Sequence, residues 1–165
     1  MSTVIKVPAS ATTYLLRAME VGRAGMLARR GGPFGAVIVG PGGDVIGEGC
    51  NEVTSANDPT AHAEVTAIRA ACASLGTFLL EGCTLYTSCE PCPMCLAAAY
   101  WAHVAGIVYA ASRADAAAGG FDDAMIYEEI GRPPKGRRIP MRRLEAESGA
   151  ALFTEWLALE GRTPY

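Results

Sequence analysis

The spacing of apolar residues predicts that the chain begins with a helix followed by a hairpin. Residues 10–30 place apolar side chains at intervals of three and four, and Gly31-Gly32-Pro33 ends that pattern. Residues 34–39 form a short apolar run rich in β-branched side chains. The turn at 41–44 then leads into a second such run at 45–50. We therefore expect two antiparallel strands after the first helix.

Helical and strand patterns alternate beyond the hairpin. Asp58 suits a helix N-cap and Pro59 the first helical position, and Pro91 suits the same position in a later helix. Alternation of helix and strand requires crossover connections, which place helices on both faces of a central sheet. The predicted elements are a helix from Pro59 to about Leu75, a strand at 83–87, a helix from Pro91 and a strand at 104–110.

The last third of the chain is less regular. Residues 114–120 are rich in alanine and glycine, and the patterns that follow are typical of a helix at 121–130, a strand at 139–144 and a helix at 149–159. The predicted fold is an α/β three-layer α/β/α sandwich with a central mixed five-stranded sheet. We expect one domain over residues 1–165, in which residues from about 145 to 165 form a C-terminal helix and tail.

Composition and charge limit the class of protein. The chain has 165 residues, half of them hydrophobic and 19% charged, which is typical of a globular domain. It has no apolar run long enough to span a bilayer, and its first residues lack a signal-peptide pattern, so we expect a cytoplasmic protein with no membrane partner. Six cysteines in such a protein indicate metal binding and buried thiols rather than disulfides.

A net charge of −3 argues against a nucleic-acid partner held mainly by phosphate contacts. One segment, Lys135-Gly136-Arg137-Arg138 with Arg142 and Arg143, is locally basic. It could be a basic patch, but the preceding helix is acidic. We therefore prefer the interpretation of a solvated strand edge balanced by neighbouring acids.

Two short segments contain the residue types that bind zinc. Zinc takes neutral imidazole nitrogen and thiolate sulfur, and a catalytic site uses three protein ligands and leaves a fourth position for water. His62, Cys92 and Cys95 make such a set. The sequence therefore predicts Zn²⁺ as the cofactor.

Other interpretations of the cysteines remain. A Cys-x-x-Cys pair alone also occurs in redox sites and in structural zinc sites, where His103 or another cysteine would be the fourth ligand. Cys89 extends the spacing toward an iron–sulfur run, but no cysteine follows Cys95. Cys89 is the open question in the ligand set, and we place it in the last turn before the helix.

Glu64 follows His62 by two residues and is not needed as a ligand. A carboxylate at that position can take a proton from water on the metal and pass it to a leaving amine. His-x-Glu followed by Pro-Cys-x-x-Cys is the signature of zinc deaminases. We therefore predict that Glu64 is the catalytic proton shuttle.

With these motifs the chain resembles the bacterial guanine deaminases of the cytidine-deaminase-like superfamily. The similarity runs from about Ala11 to the terminus. The metal motifs are shared by the whole superfamily, whereas Phe-Asp-Asp and the aromatic C-terminus are narrower signals. The segments that carry the resemblance are 32–37, 57–69, 86–95 and 119–123.

The resemblance implies the residues that bind the substrate. Asn51 would hydrogen-bond the purine, since an amide offers a donor and an acceptor to a base edge. Asp123 would accept a hydrogen bond from the guanine edge near the exocyclic amine. Asp122 would be a surface or capping residue, although the sequence also allows the two residues to have each other's role. Phe34 and Trp101 are candidates for the walls of the base pocket, or else core aromatics.

The resemblance also implies a homodimer. Tyr165 would lie on an exchanged C-terminal segment that covers the partner's active site, and the alternative is a frayed end. The implied activity is hydrolysis of guanine to xanthine and ammonia. Three other functions stay open: a deaminase of guanosine, cytosine or an aminated triazine, a tRNA adenosine deaminase, and a zinc-binding scaffold without activity.

Overall fold

The computed structural model describes residues 10–165. The chain divides into two compact units, Met1–Asp123 and Ala124–Tyr165, which are described separately. The prediction of a single domain stays a prediction. The first unit contains α1 (Ala11–Leu27), β1 (Gly35–Val39), β2 (Val45–Cys50), α2 (Val53–Ala56), α3 (Ala63–Leu75), β3 (Thr84–Cys89), α4 (Pro93–Trp101), β4 (Gly106–Ala111) and α5 (Arg113–Ala118).

The strands of the first unit form one mixed sheet in the order β2-β1-β3-β4. β1 is antiparallel to both β2 and β3, whereas β3 and β4 are parallel. The predicted hairpin and the mixed α/β sheet are therefore confirmed. The prediction of five strands is wrong for residues 10–165, because the sheet has four.

The missing strand is the one predicted at 139–144, in the second unit. That unit contains α6 (Ala124–Ile130), a 3₁₀ turn (Pro134–Gly136) and α7 (Ala146–Ala158). Pro140 has no N–H for a ladder. The preceding arginines bond back to α6, because the backbone N–H of Arg138 donates to Glu129 Oε2 at 2.6 Å and the Arg137 guanidinium donates to Ile130 O. The predicted balancing of the basic segment by neighbouring acids is therefore seen at Arg138 and Glu129, whereas the predicted strand edge is absent from the described residues.

Alternating residues of β1 face two different layers of helix. Ala36 and Ile38 pack in a cluster with residues of α3 and α4, whereas Val37 and Val39 pack with residues of α1. A strand directs successive side chains to opposite faces. Helices therefore cover both faces of the sheet, as the alternating pattern predicts. None of the described helices is long and apolar enough to cross a bilayer.

Backbone contact between α3 and β2 depends on two glycines. A Cβ added to Gly49 would lie 2.4 Å from Ala63 O and 2.5 Å from Ala67 N, and one on Gly47 would lie 2.6 Å from Ala71 N. These distances are shorter than any real Cβ contact, so the helix rests directly on the strand. Because β2 is paired to β1 in the sheet, this contact fixes the position of α3 on the sheet.

Several helix starts differ from the prediction, and three of them lie near the predicted metal site or follow β4. α3 starts at Ala63 rather than Pro59, because the Asp58 carboxylate accepts from the backbone N–H of Thr60 at 2.8 Å and closes a local turn instead. α4 starts at Pro93 rather than Pro91, with the proline in the first helical position. α5 was not predicted, although Ser112 and Asp115 form a reciprocal capping box at its start.

Gly49→Ala should destabilise the protein, because the new methyl group would separate α3 from β2. We expect a loss of about 1–3 kcal/mol in the free energy of unfolding, measured by denaturant titration. We also expect the protein to bind less zinc, since His62 is the N-cap residue of α3.

Gly149→Ala is the control, because nothing lies within 4 Å of its added Cβ and it sits within α7. It should leave stability unchanged or raise it by up to about 1 kcal/mol. Equal stability of Gly49→Ala and the parent would contradict the packing argument.

Candidate metal centre and active site

Two helix N-termini bring the three predicted zinc ligands together. His62 is the N-cap residue of α3, Cys92 is the N-cap residue of α4, and Cys95 lies in the first turn of α4. Both N-caps have extended backbone, and neither side chain makes a capping hydrogen bond to the helix that follows. The N-terminus of a helix carries partial positive charge, which favours thiolate over thiol.

The ligand atoms have the spacing that zinc requires. His62 Nδ1 lies 3.5 Å from Cys92 Sγ and 3.5 Å from Cys95 Sγ. All three ligand atoms lie within 4.8 Å of one another. Tetrahedral zinc with ordinary Zn–N and Zn–S bonds separates nitrogen and sulfur by about 3.6 Å. Cys95 is buried, whereas Cys92 and His62 are half-buried, so these two give the site a more accessible side.

The three ligand side chains shift one another's pKa values. The hydrogen bond from Cys95 lowers the pKa of Cys92 to about 4, and the His62 imidazole acts in the same direction. The same bond, together with burial, raises the pKa of Cys95. The hydrogen bond to Cys92 raises the pKa of His62. Zinc binds cysteine as thiolate, so its binding would release the proton that the raised pKa favours on Cys95.

Glu64 lies beside this cluster with its carboxylate enclosed. Its side chain is 6% exposed, and burial raises the pKa of the carboxyl group. Oε1 accepts from Thr87 Oγ1 at 3.3 Å, and Oε2 lies 3.4 Å from Cys95 Sγ. A buried carboxyl group adjacent to metal ligands is suited to accepting and returning a proton. This geometry supports the predicted role of Glu64.

Cys89 lies outside the ligand cluster. It is the last residue of β3, is buried, and its Sγ donates to Ser112 O at 3.6 Å. The group of ligand atoms contains His62, Cys92 and Cys95 without it. Cys89 therefore belongs to the strand end and not to the turn where the sequence places it. None of the six cysteines, all of which lie among the described residues, forms a disulfide.

Asn51 is held by its own side-chain oxygen. Oδ1 accepts from the backbone N–H of Gly32 at 3.1 Å and of Val53 at 3.3 Å. Gly31 must lack a side chain here, because an added Cβ would lie 2.1 Å from Oδ1. Both acceptor positions are occupied, so the amide presents only its NH₂ group as a donor. The sequence predicts that Asn51 offers a base both a donor and an acceptor. In the structure only the donor, its NH₂ group, is left for a base.

Asp123 is the more enclosed of the two neighbouring aspartates. It is half-buried, whereas Asp122 is exposed. Burial raises the pKa of Asp123, Arg113 opposes that shift, and the nearby Cys92 adds to it. Its greater burial favours Asp123 over Asp122 as a residue of the site.

The aromatic candidates have different surroundings. Phe34 is half-buried and packs edge-on against Phe121, with ring centroids 4.8 Å apart. Trp101 is 64% exposed and ends α4, nine residues after Cys92, so the two are separated by about 13 Å along the helix. That separation gives no support to Trp101 as a pocket wall of its own chain. Tyr165 is 77% exposed and belongs to the second unit, and its role stays a prediction.

Thr87 was missed by the sequence reasoning. It is buried in β3 and donates to Glu64. The sequence does contain a sign of its role. Thr87 is polar but lies two residues after Leu85, so the two side chains share the face of β3 that is buried in the core. Only the structure shows which buried group its hydroxyl satisfies.

Comparisons with known proteins agree with this geometry. The zinc-binding region of cytidine and deoxycytidylate deaminases matches residues 9–111. The chain is 51% identical over 153 residues to the guanine deaminase of Bacillus subtilis. The aligned region covers 93% of this chain and 97% of that protein. An X-ray structure of guanine deaminase from Bacillus subtilis superposes with a TM-score of 0.90 and 51% identity, covering 93% of this chain and 98% of that one. A tRNA-specific adenosine deaminase of Aquifex aeolicus is 35% identical over 124 residues, which is 75% of this chain and 79% of that protein.

Cys92→Ala should abolish tight zinc binding, because it removes one of three ligands. We expect its zinc affinity to fall more than about a hundredfold, measured by metal analysis of the purified protein and by competition with a chelator. Cys89→Ala is the matched control and should keep the zinc content of the parent, since its sulfur bonds a backbone carbonyl. Loss of zinc from Cys89→Ala, with retention in Cys92→Ala, would overturn the ligand assignment.

Proposed function

Because the chain belongs to the cytidine and deoxycytidylate deaminase zinc-binding family, we propose that it hydrolyses guanine to xanthine and ammonia. One observation carries the chemistry: the buried Glu64 carboxylate lies 3.4 Å from Cys95, inside a cluster that offers zinc three ligands. The choice of guanine rests on similarity to a guanine deaminase over nearly the whole length of both chains.

The residues fit the zinc that this family implies. Soft thiolates and an imidazole nitrogen at tetrahedral spacing are the donors that zinc prefers, and His62, Cys92 and Cys95 would hold it. When bound, zinc lowers the pKa of a coordinated water from about 15.7 to about 7 and so supplies a nucleophile at neutral pH. The remaining steps belong to the side chains of the protein.

Glu64 would move the protons of the reaction. Carbon 2 of guanine is a poor electrophile and its amino group a poor leaving group, so attack and departure both need proton transfer. Glu64 would accept the proton of the attacking water and donate it to a ring nitrogen. It would then take the proton of the new hydroxyl on carbon 2 and pass it to the departing amine as that hydroxyl becomes the carbonyl of xanthine. The carboxylate returns to its starting state, and one water is consumed for each xanthine and ammonia released.

Asn51 and Asp123 would orient the base. The NH₂ group of Asn51 is a donor for an acceptor atom of the purine, because its oxygen is already bound. The Asp123 carboxylate is an acceptor for the N–H groups at the edge that carries the exocyclic amine. Phe34 is a candidate wall of the pocket. This arrangement suits a small purine base as the substrate.

Guanine turnover by the zinc-loaded protein should fall in Glu64→Gln by about a hundredfold to ten-thousandfold. The measurement is ultraviolet-monitored conversion to xanthine, with zinc content determined for each variant. Glu64→Gln should keep its zinc, since Glu64 is not a ligand. Glu81→Gln makes the same change at an exposed position and should behave as the parent.

The same assay separates the other substrates. Guanosine and cytosine are run in parallel, and formation of inosine within tRNA tests the alternative that the Aquifex relative represents. A parent that deaminates tRNA adenosine but not guanine would refute the proposed activity. A zinc-replete Glu64→Gln with normal guanine turnover would refute the role of Glu64. Zinc without any amine release would favour the scaffold interpretation.

We also propose that the chain forms a homodimer in which residues from about 145 to 165 exchange and Tyr165 covers the partner's site. Two features support this. The helix α7 exposes Leu152, Phe153 and Leu157 in the single chain. The edge strand β4 pairs with β3 alone among the described strands and exposes Tyr109. Large exposed apolar groups on a helix and at a sheet edge are typical of association surfaces.

Mixing two inactive variants tests the exchange. Tyr165→Ala and Glu64→Gln should each have low turnover, the first through loss of the lid. In mixed dimers, the Glu64-containing site of one subunit would receive the intact Tyr165 of the other. Random association should then restore about a quarter of the parent sites, measured as guanine turnover after co-refolding. No recovery, or a fully active Tyr165→Ala, would contradict the exchanged lid.

A further inference from the structure

Thr87 places a hydroxyl where the sheet otherwise buries apolar side chains. It lies two residues after Leu85 in β3, so both side chains point to the face that α3 and α4 cover. Leu85 is 0% exposed and Thr87 is 1% exposed. Valine has nearly the same shape and would bury more apolar surface. A buried hydroxyl without a partner is costly, so its position depends on the group that it contacts.

That group is the carboxylate of Glu64. Thr87 Oγ1 donates to Oε1 at 3.3 Å, and this is the side-chain hydrogen bond that the structure gives Thr87. The other carboxylate oxygen, Oε2, lies 3.4 Å from Cys95 Sγ. The two oxygens therefore have different surroundings. One is attached to the sheet, and the other faces a ligand of the metal centre.

An anchored oxygen restricts the rotation of the carboxylate. The terminal torsion of glutamate is broad, so a carboxylate without a fixed partner samples many orientations. Thr87 is itself fixed, because it pairs in register with Ala36 of β1 and Tyr109 of β4. A hydrogen bond from such a residue holds Oε1 in place and keeps Oε2 directed at the metal ligands. Proton transfer needs that orientation, because it requires heavy atoms within about 2.6–3.2 Å.

We infer that Thr87 is a positioning residue, whose hydroxyl orients the Glu64 carboxylate for proton transfer during the deamination. This inference rests on the proposed function, since it takes Glu64 to be the proton shuttle. A purely structural role for Thr87 would predict a different result. The hydroxyl would then only satisfy a buried carboxylate, and its loss would lower stability without changing the turnover of the molecules that remain folded.

Thr87→Val removes the hydroxyl and keeps the shape and the β-branching. In the zinc-loaded protein we expect kcat for guanine to fall about tenfold to a hundredfold while KM changes little, because the base contacts are elsewhere. Thr87→Ser restores the hydroxyl and should recover most of kcat. Thr84→Val is the matched control on the same strand, three residues away, and should keep the kcat of the parent.

A second readout does not depend on activity. Glutamate labelled with ¹³C at the carboxyl carbon gives a Glu64 resonance that can be identified by its loss in Glu64→Gln. This resonance should shift in Thr87→Val, and it should keep its parent position in Thr87→Ser and Thr84→Val. Zinc content and the unfolding midpoint are measured for every variant.

The two readouts distinguish failure of this inference from failure of the proposed function. A parent without guanine turnover would refute the proposed function, while the resonance would still test the Thr87 contact. An active parent whose Thr87→Val variant keeps its kcat would overturn the inference. A lowered kcat with an unmoved Glu64 resonance would also overturn it, because the effect would then not pass through the carboxylate.

Discussion

The direct contact of the α3 backbone with β2 is the constraint on which the metal centre depends. His62 is the residue immediately before α3, and its imidazole must meet two sulfurs that come from a different helix. Side chains between a helix and a sheet normally allow small shifts, but Gly47 and Gly49 leave no such layer. The helix can therefore start in only one place. Because zinc tolerates errors of about 0.2 Å in its bonds, that rigidity is needed before any chemistry can occur.

The buried polar groups of the described residues are concentrated at the same end of the fold. They are Asn51, Glu64, Thr87 and Ser88. Each burial is costly unless a partner compensates it, and each has one: Ser88 Oγ accepts from Gly35 N at 3.0 Å, for example, and so joins β3 to the start of β1. The site is therefore surrounded by hydrogen bonds that also connect β1, β3, α3 and the Asn51 loop. We propose that these polar groups, which a core would normally exclude, serve to orient the Glu64 carboxylate and the Asn51 amide.

The sequence predicts the parts of this arrangement that local chemistry determines. Ligand identity follows from His62 and the Cys-x-x-Cys pair, and the hairpin follows from β-branched runs separated by a glycine-rich turn. Local signals fail where two structures compete for one residue. Asp58 is a good N-cap, yet it closes a turn with Thr60, and Ile139, Met141 and Leu144 look like a strand although the neighbouring arginines bond back to α6. The donor-only state of Asn51 depends on Gly32, nineteen residues away, and no local pattern contains that contact.

If Asn51 and Asp123 orient the base as we propose, the fixed polarity of the Asn51 amide limits which bases the site can bind. A free amide could rotate to match either a donor or an acceptor, but Asn51 has lost that freedom because its oxygen binds two backbone N–H groups. If Asp123 is ionised, the site presents one donor and one acceptor. Guanine has acceptors in its ring and donors at the edge with the exocyclic amine, and it satisfies both. A base without an N–H at that edge would leave a half-buried carboxylate unpaired, and sites of that kind reject such analogues by factors of about 10⁴ or more. Selectivity would then arise from the backbone hydrogen bonds that occupy the Asn51 oxygen, and not from the identity of the Asn51 side chain alone.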